Sequence, residues 1–72
     1  MTTFAVRLKE LRKERGLTQN KLAKKIYTSE PTVCAYENGY RIPRADVVVD
    51  FAKFFNVSAD YLLGISDRKE SL

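Results

Sequence analysis

Few residues of this chain can do covalent or metal chemistry. Its 72 residues include no histidine and one cysteine, Cys34. Histidine general bases and histidine metal ligation are therefore absent, and a single thiol without partners makes no zinc site. Asp46 and Asp50 lie one helical turn apart, but two carboxylates at that spacing ordinarily belong to a solvated helix face. The residues thus argue against an enzyme and imply no cofactor, metal or small-molecule ligand.

What remains chemically active is charge. Residues 7–44 hold ten Lys/Arg against four Asp/Glu, a balance of about +6, while residues 45–72 hold three against five, about −2. A basic half beside a mildly acidic one is expected where one face meets a polyanion. An ordinary solvated surface gives the same balance, so the elements carrying these residues must decide.

The central stretch is Thr18 to Gly39, TQNKLAKKIYTSEPTVCAYENG. Thr18 is an N-cap type residue, and Leu22, Ala23 and Ile26 make one apolar face of a helix over about 19–26. Tyr27-Thr28 breaks the pattern. Ser29 offers a second cap, and Val33 and Tyr36 define the buried side of a helix over about 30–37. Pro31 falls in its first turn, where a missing N–H is harmless. Asn38-Gly39 ends it with residues that tolerate a left-handed conformation. Glu30, Pro31, Thr32 and Ala35 are left facing outward. Two helices joined by a short turn in a basic domain suggest a helix-turn-helix.

Flanking segments complete an all-α, compact five-helix domain. Thr3 is placed to cap a first helix carrying Phe4, Leu8 and Leu11, which stops at Gly16 with Leu17 tucking back. Pro43 biases Ile42 to extended backbone. Residues 45–55, ADVVVDFAKFF, form a fourth helix with Val48, Phe51, Ala52 and Phe55 on one side. Val47-Val48-Val49 also suits a strand, but no partner strand exists. Ser58 caps a short fifth helix, Ala59 to Leu63, closed by Gly64. Residues 1–66 are read as the domain. Residues 67–72 are read as a short polar tail, and the segment SDRKESL is expected to fray.

A chain 44% hydrophobic and 31% charged is globular, but at this length its core is small. No apolar run approaches the roughly 20 residues of a membrane span, and MTTFAVRLKE lacks a signal-peptide core. One cysteine makes no internal disulfide, which fits a reducing compartment. A cytoplasmic location, without membrane contact, is expected.

The run L-T-Q…L-A…I…S…T-V…Y-E-N-G…R-x-P, followed by V-S-x-D-Y-L-L-G, resembles the Cro/repressor-type helix-turn-helix DNA-binding family, also called xenobiotic-response-element-like or lambda-repressor-like. The resemblance runs from about Phe4 to Gly64. It implies a lambda-repressor-like domain with the helix-turn-helix at its second and third helices. It also implies a regulator of transcription, a repressor, that binds double-stranded operator DNA as a homodimer with the third helix in the major groove.

Carried over position by position, the resemblance puts Ser29, Glu30, Pro31 and Ala35 at or near bases, with Thr32 close by. Glu30 can accept from a cytosine amino group, and Pro31 and Ala35 can touch thymine methyls. The competing role for Glu30 is a first-turn carboxylate favoured by the helix dipole. Gln19 matches a phosphate-contact position, and Asn38, Tyr40, Arg41 and Arg44 cluster past the third helix as further phosphate donors. Asn38 alternatively serves only as a helix cap. Lys9, Lys13, Lys21, Lys24 and Lys25 together raise non-specific affinity and its salt sensitivity. Arg12 and Glu37 match an internal ion pair, with Arg12 also assigned to phosphate. Relatives pair through the C-terminal region, which assigns Tyr61, Leu62, Ile65 and Phe54 to a dimer interface. Cys34 is either a redox switch on the reading helix or a small packed residue.

Three positions depart from the family pattern. Tyr27 stands at the usual turn glycine, Lys21 replaces a capping-box acid, and Arg44 occupies a usual Ser/Asp cap. The reading face also lacks Arg, Asn and Gln. The last feature keeps open a second hypothesis, a protein-interaction module of antitoxin or antirepressor type with little DNA binding.

Overall fold

The computed structural model describes residues 2–70. The helices are α1 (Thr3–Glu14), α2 (Gln19–Lys25), α3 (Glu30–Glu37), α4 (Ala45–Phe55) and α5 (Ala59–Leu63). The Val47–Val49 triple is helical, and no strand occurs among the described residues.

Hydroxyl caps start four of the five helices. Thr18, Ser29 and Ser58 sit in extended backbone and accept from the N–H groups of Lys21, Thr32 and Tyr61, satisfying donors that a helix start leaves free. At α1 the cap is Thr2, not the expected Thr3. The first helical bond runs from Val6 N–H to Thr2 O, and the Thr2 hydroxyl accepts from Ala5 N–H. Thr3 is thereby inside the first turn. Arg44 precedes α4 without a side-chain cap.

All five helices end in the same left-handed turn, with a closing N–H reaching back five residues. These bonds run from Leu17 to Arg12 O, Thr28 to Ala23 O, Tyr40 to Ala35 O, Val57 to Ala52 O and Ile65 to Asp60 O. Glycine takes the positive-φ position in three of them, and Tyr27 (φ 60°) and Asn56 (φ 56°) in the others. Asparagine tolerates this conformation. Tyrosine there costs about 1–2 kcal/mol. Tyr27→Gly is therefore expected to raise stability by up to about 1 kcal/mol, because glycine's larger unfolded-state entropy offsets part of the relief. Urea unfolding at equal m-value is the check, and a lower midpoint would show that the ring contributes to the fold.

The core is one cluster drawn from every helix. Phe4, Leu8 and Leu11 come from α1, Leu22 and Ala23 from α2, and Val33 and Tyr36 from α3. Val48, Phe51, Ala52 and Phe55 of α4, then Val57 and Leu62, complete it. Phe4, Tyr36 and Phe51 meet with centroids 6.0–6.1 Å apart, two of the three contacts edge-to-face. Such pairing adds to simple area burial, and it sets α3 against α1 and α4.

The segment after α5 does not fray within the described residues. Ser58 N–H donates to Lys69 O at 2.6 Å, and its hydroxyl donates to Arg68 O at 3.2 Å. Arg7 donates to Tyr61 O, to Ser66 O (2.8 Å) and to Asp67 (2.6 Å). Lys69 reaches Glu14 at 3.6 Å. Polar contacts, invisible to an apolar-pattern reading, bind residues 66–69 to α1 and to α5 with its cap. Ser71 and Leu72, also expected to fray, lie outside the described residues.

Candidate nucleic-acid interface

The α2–turn–α3 unit is held from beneath by one buried ionic cluster. Glu37, at the end of α3, is 2% exposed. Its carboxylate accepts from Arg12 Nε at 2.7 Å and Nη2 at 3.0 Å, and from Gln19 Nε2 at 3.1 Å. A bidentate guanidinium–carboxylate pair is directional as well as strong, so it fixes α1, α2 and α3 mutually. Arg12 Nη1 donates to Leu17 O at 2.8 Å. Each nitrogen of Arg12 thus already donates inside the chain, and the guanidinium is mostly buried. The internal ion pair expected of Arg12 is thus present, and it takes three of the five guanidinium N–H groups together with the Leu17 bond. Gln19 is half-buried at the start of α2, with one amide hydrogen on Glu37.

Above this cluster α3 presents its opposite side. Val33, Tyr36 and Glu37 point inward, while Ser29, Glu30 and Pro31 are exposed and Thr32, Cys34 and Ala35 half-exposed. Pro31 and Ala35, four residues apart, share one face. Ser29 and Thr32 hydroxyls lie 2.8 Å apart and hold each other. The tail docks on α1 and the start of α5, and among the described residues none of its hydrogen bonds or ion pairs involves α3.

Asn38 caps α3 and donates through Nδ2 to Cys34 O at 2.9 Å and to Cys34 Sγ at 3.1 Å. Its cap role is thus realised, and the thiol is a half-buried neighbour of that cap. Tyr40 and Arg41 are exposed, with the Arg41 guanidinium 5.8 Å over the Tyr36 ring. The Tyr40 and Arg41 N–H groups are both spent on Ala35 O, so only their side chains are available to a ligand. Arg44 is exposed and loosely paired with Asp46 at 3.5 Å.

The C-terminal residues assigned to pairing differ in exposure. Leu62 is fully buried in the chain's own core, which corrects its place in a dimer interface. Phe54 is half-buried against Phe55, and Tyr61 lies beneath the Arg7 guanidinium at 4.1 Å. Ile65 is 73% exposed. Two further apolar residues not assigned from the sequence are also exposed, Ile42 at 82% and Leu63 at 49%, and they line one hollow of about 240 Å³ with Phe4 and Pro43.

Among the described residues no helix is long and apolar enough to cross a membrane.

A helix-turn-helix family model matches residues 8–62. The HTH-type transcriptional regulator ImmR of Bacillus subtilis (strain 168) is 41% identical over 68 residues, which cover 90% of this chain and 54% of the relative. An uncharacterized HTH-type transcriptional regulator of the same organism, YqaE, is 39% identical over 67 residues, covering 92% and 58%. The cryptic phage CTXphi transcriptional repressor RstR of Vibrio cholerae is 34% identical over 64 residues, covering 89% and 58%. The chain thus spans little more than half the length of these relatives. In three dimensions it resembles the P22 c2 repressor protein, crystallised in complex with a synthetic operator. That match has a TM-score of 0.79 and 25% identity, and covers 83% of this chain and 91% of the other.

Proposed function

This chain belongs to the helix-turn-helix family, and from that premise we propose that it is a sequence-specific double-stranded DNA-binding regulator of transcription, a repressor acting by occupancy. In this reading α3 enters the major groove, with Ser29, Glu30, Pro31, Thr32 and Ala35 at or near base edges. Gln19, Asn38, Tyr40, Arg41 and Arg44 hold the backbone on either side. The carrying observation is the uncovered α3 face: Pro31 and Ala35 stand opposite the buried Val33, Tyr36 and Glu37, and the tail is anchored elsewhere. The relatives named as repressors support the direction of regulation, and a cytoplasmic site of action follows from it.

We further propose a homodimer, through the apolar surface of Ile42, Leu63 and Ile65 rather than Leu62. Sedimentation at high micromolar concentration tests it. A monomer there would remove the dimer and leave the DNA reading standing.

Titration against duplex DNA over a range of salt concentrations tests the main proposal. Affinity is expected to fall linearly on a log–log plot. Arg41→Ala is expected to weaken all sequences alike and reduce the salt slope by about 1. Glu30→Ala is expected to relax base preference at one position by about 1–3 kcal/mol while leaving non-specific affinity intact or higher. Equal effects of both variants on every sequence would remove the division of roles. Affinity insensitive to salt would instead favour the protein-interaction module, a reading that rests on the exposed Glu30 and the lack of Arg, Asn and Gln on α3.

A further inference from the structure

A second surface lies beside the turn, where α2 and α4 meet loosely. Lys25, Ile26, Tyr27, Asp50, Lys53 and Phe54 line an open groove there. Its floor is apolar, made by the half-buried Ile26 and Phe54. Tyr27 stands over it 97% exposed, on a backbone at φ 60° that glycine would adopt with less strain. A tyrosine in that position gains little from the chain's own core. It does offer a large, rigid, amphipathic contact, of the kind enriched where proteins meet.

The rim supplies the sign of the partner. Lys21 and Lys25 share one flank of α2, Lys24 is next to them, and Lys53 rises from α4, against Asp50 alone. None of these four lysines forms an ion pair among the described residues. A continuous phosphate backbone would have no use for the Ile26–Phe54 floor, and no residue of α3 lines the groove.

We propose that this groove docks an acidic segment of a partner protein, one large apolar side chain seated on Ile26, Tyr27 and Phe54 and its carboxylates beside Lys25 and Lys53. Both halves of the recognition are ordinary: a central apolar anchor carries most of the affinity, and complementary charge steers and orients the encounter. The site does not overlap the α3 face, so the proposal stands apart from the DNA reading.

The test uses the full chain, isotopically labelled, titrated with a synthetic peptide of Asp and Glu residues spaced around two leucines and a tryptophan. A control peptide carries Lys in place of every Asp and Glu. Saturable shift changes are expected at Ile26, Tyr27, Lys53 and Phe54 for the acidic peptide only. Tyr27→Gly keeps the turn and is expected to weaken the peptide by about tenfold or more. Lys53→Glu is expected to weaken it similarly while leaving duplex DNA affinity within about twofold. No shifts up to millimolar peptide, shifts centred on Pro31 and Ala35, or equal binding of the lysine peptide would each overturn the proposal. Loss of duplex affinity in Lys53→Glu as large as its loss of peptide affinity would also overturn it and give the groove to DNA.

Discussion

Glu37→Ala is expected to remove a large share of the stability of the fold. The carboxylate is 2% exposed and accepts three hydrogen bonds, two from Arg12 and one from Gln19. Deleting it leaves a mostly buried guanidinium with only Leu17 O as partner, together with a small cavity. Breaking a buried ion pair from one side typically costs about 3–5 kcal/mol. A folded chain of 72 residues has only about 4–11 kcal/mol in total. The melting temperature should therefore fall steeply, as read by circular dichroism and thermal melts. Any loss of DNA affinity should track the unfolded fraction rather than base sequence. Replacing both partners, Arg12→Met with Glu37→Leu, should recover much of the stability, because no uncompensated charge remains. A cooperative melt of Glu37→Ala within a few degrees of the parent would show that the pair is weakly coupled to the fold.

The second large effect is expected at Leu62. Its side chain is wholly enclosed by the core cluster, so Leu62→Ala should cost about 2–5 kcal/mol through lost burial and the cavity left behind. The diagnostic feature is concentration. A core residue destabilises the monomer, and the fall in melting temperature should be the same at micromolar and at high micromolar protein. An interface residue would instead make the melt depend on protein concentration, since association stabilises by mass action. Leu63→Ala and Ile65→Ala are the counterparts. Both side chains are exposed, so stability should change by no more than about 0.5 kcal/mol while self-association weakens. Reversal of these two outcomes would return Leu62 to the subunit interface.

Much of the architecture was legible because its causes are local. Thr18, Ser29 and Ser58 cap helices that begin where apolar spacing begins. Gly16, Gly39 and Gly64 end helices where it stops. The departures were legible as well. Tyr27 was marked as standing at the usual turn glycine, and its φ of 60° shows that it takes the left-handed conformation in glycine's place. The α1 cap was read one residue late because Thr2 and Thr3 are chemically equal candidates, and only the backbone hydrogen bonds separate them.

The site was legible in part. The exposed side of α3 follows from helical periodicity once Val33 and Tyr36 are set inward, and Glu30, Pro31 and Ala35 emerge from that arithmetic. Arg12 was assigned two roles, and nothing local could choose between them. Its partners are five and twenty-five residues away, beyond the reach of local spacing.

What the amino-acid sequence determined by itself is the set of five helices, their stops, three of their hydroxyl caps and the outward face of α3, since each depends on neighbours within about five residues along the chain. Tertiary structure decided the rest. It buried Leu62 and exposed Leu63, folded the tail against Arg7 across separations of 59 and 60 residues, and opened a groove between Tyr27 and α4. Spacing along one helix says which residues share a face, but which face is covered is settled only when distant segments compete for the same small core.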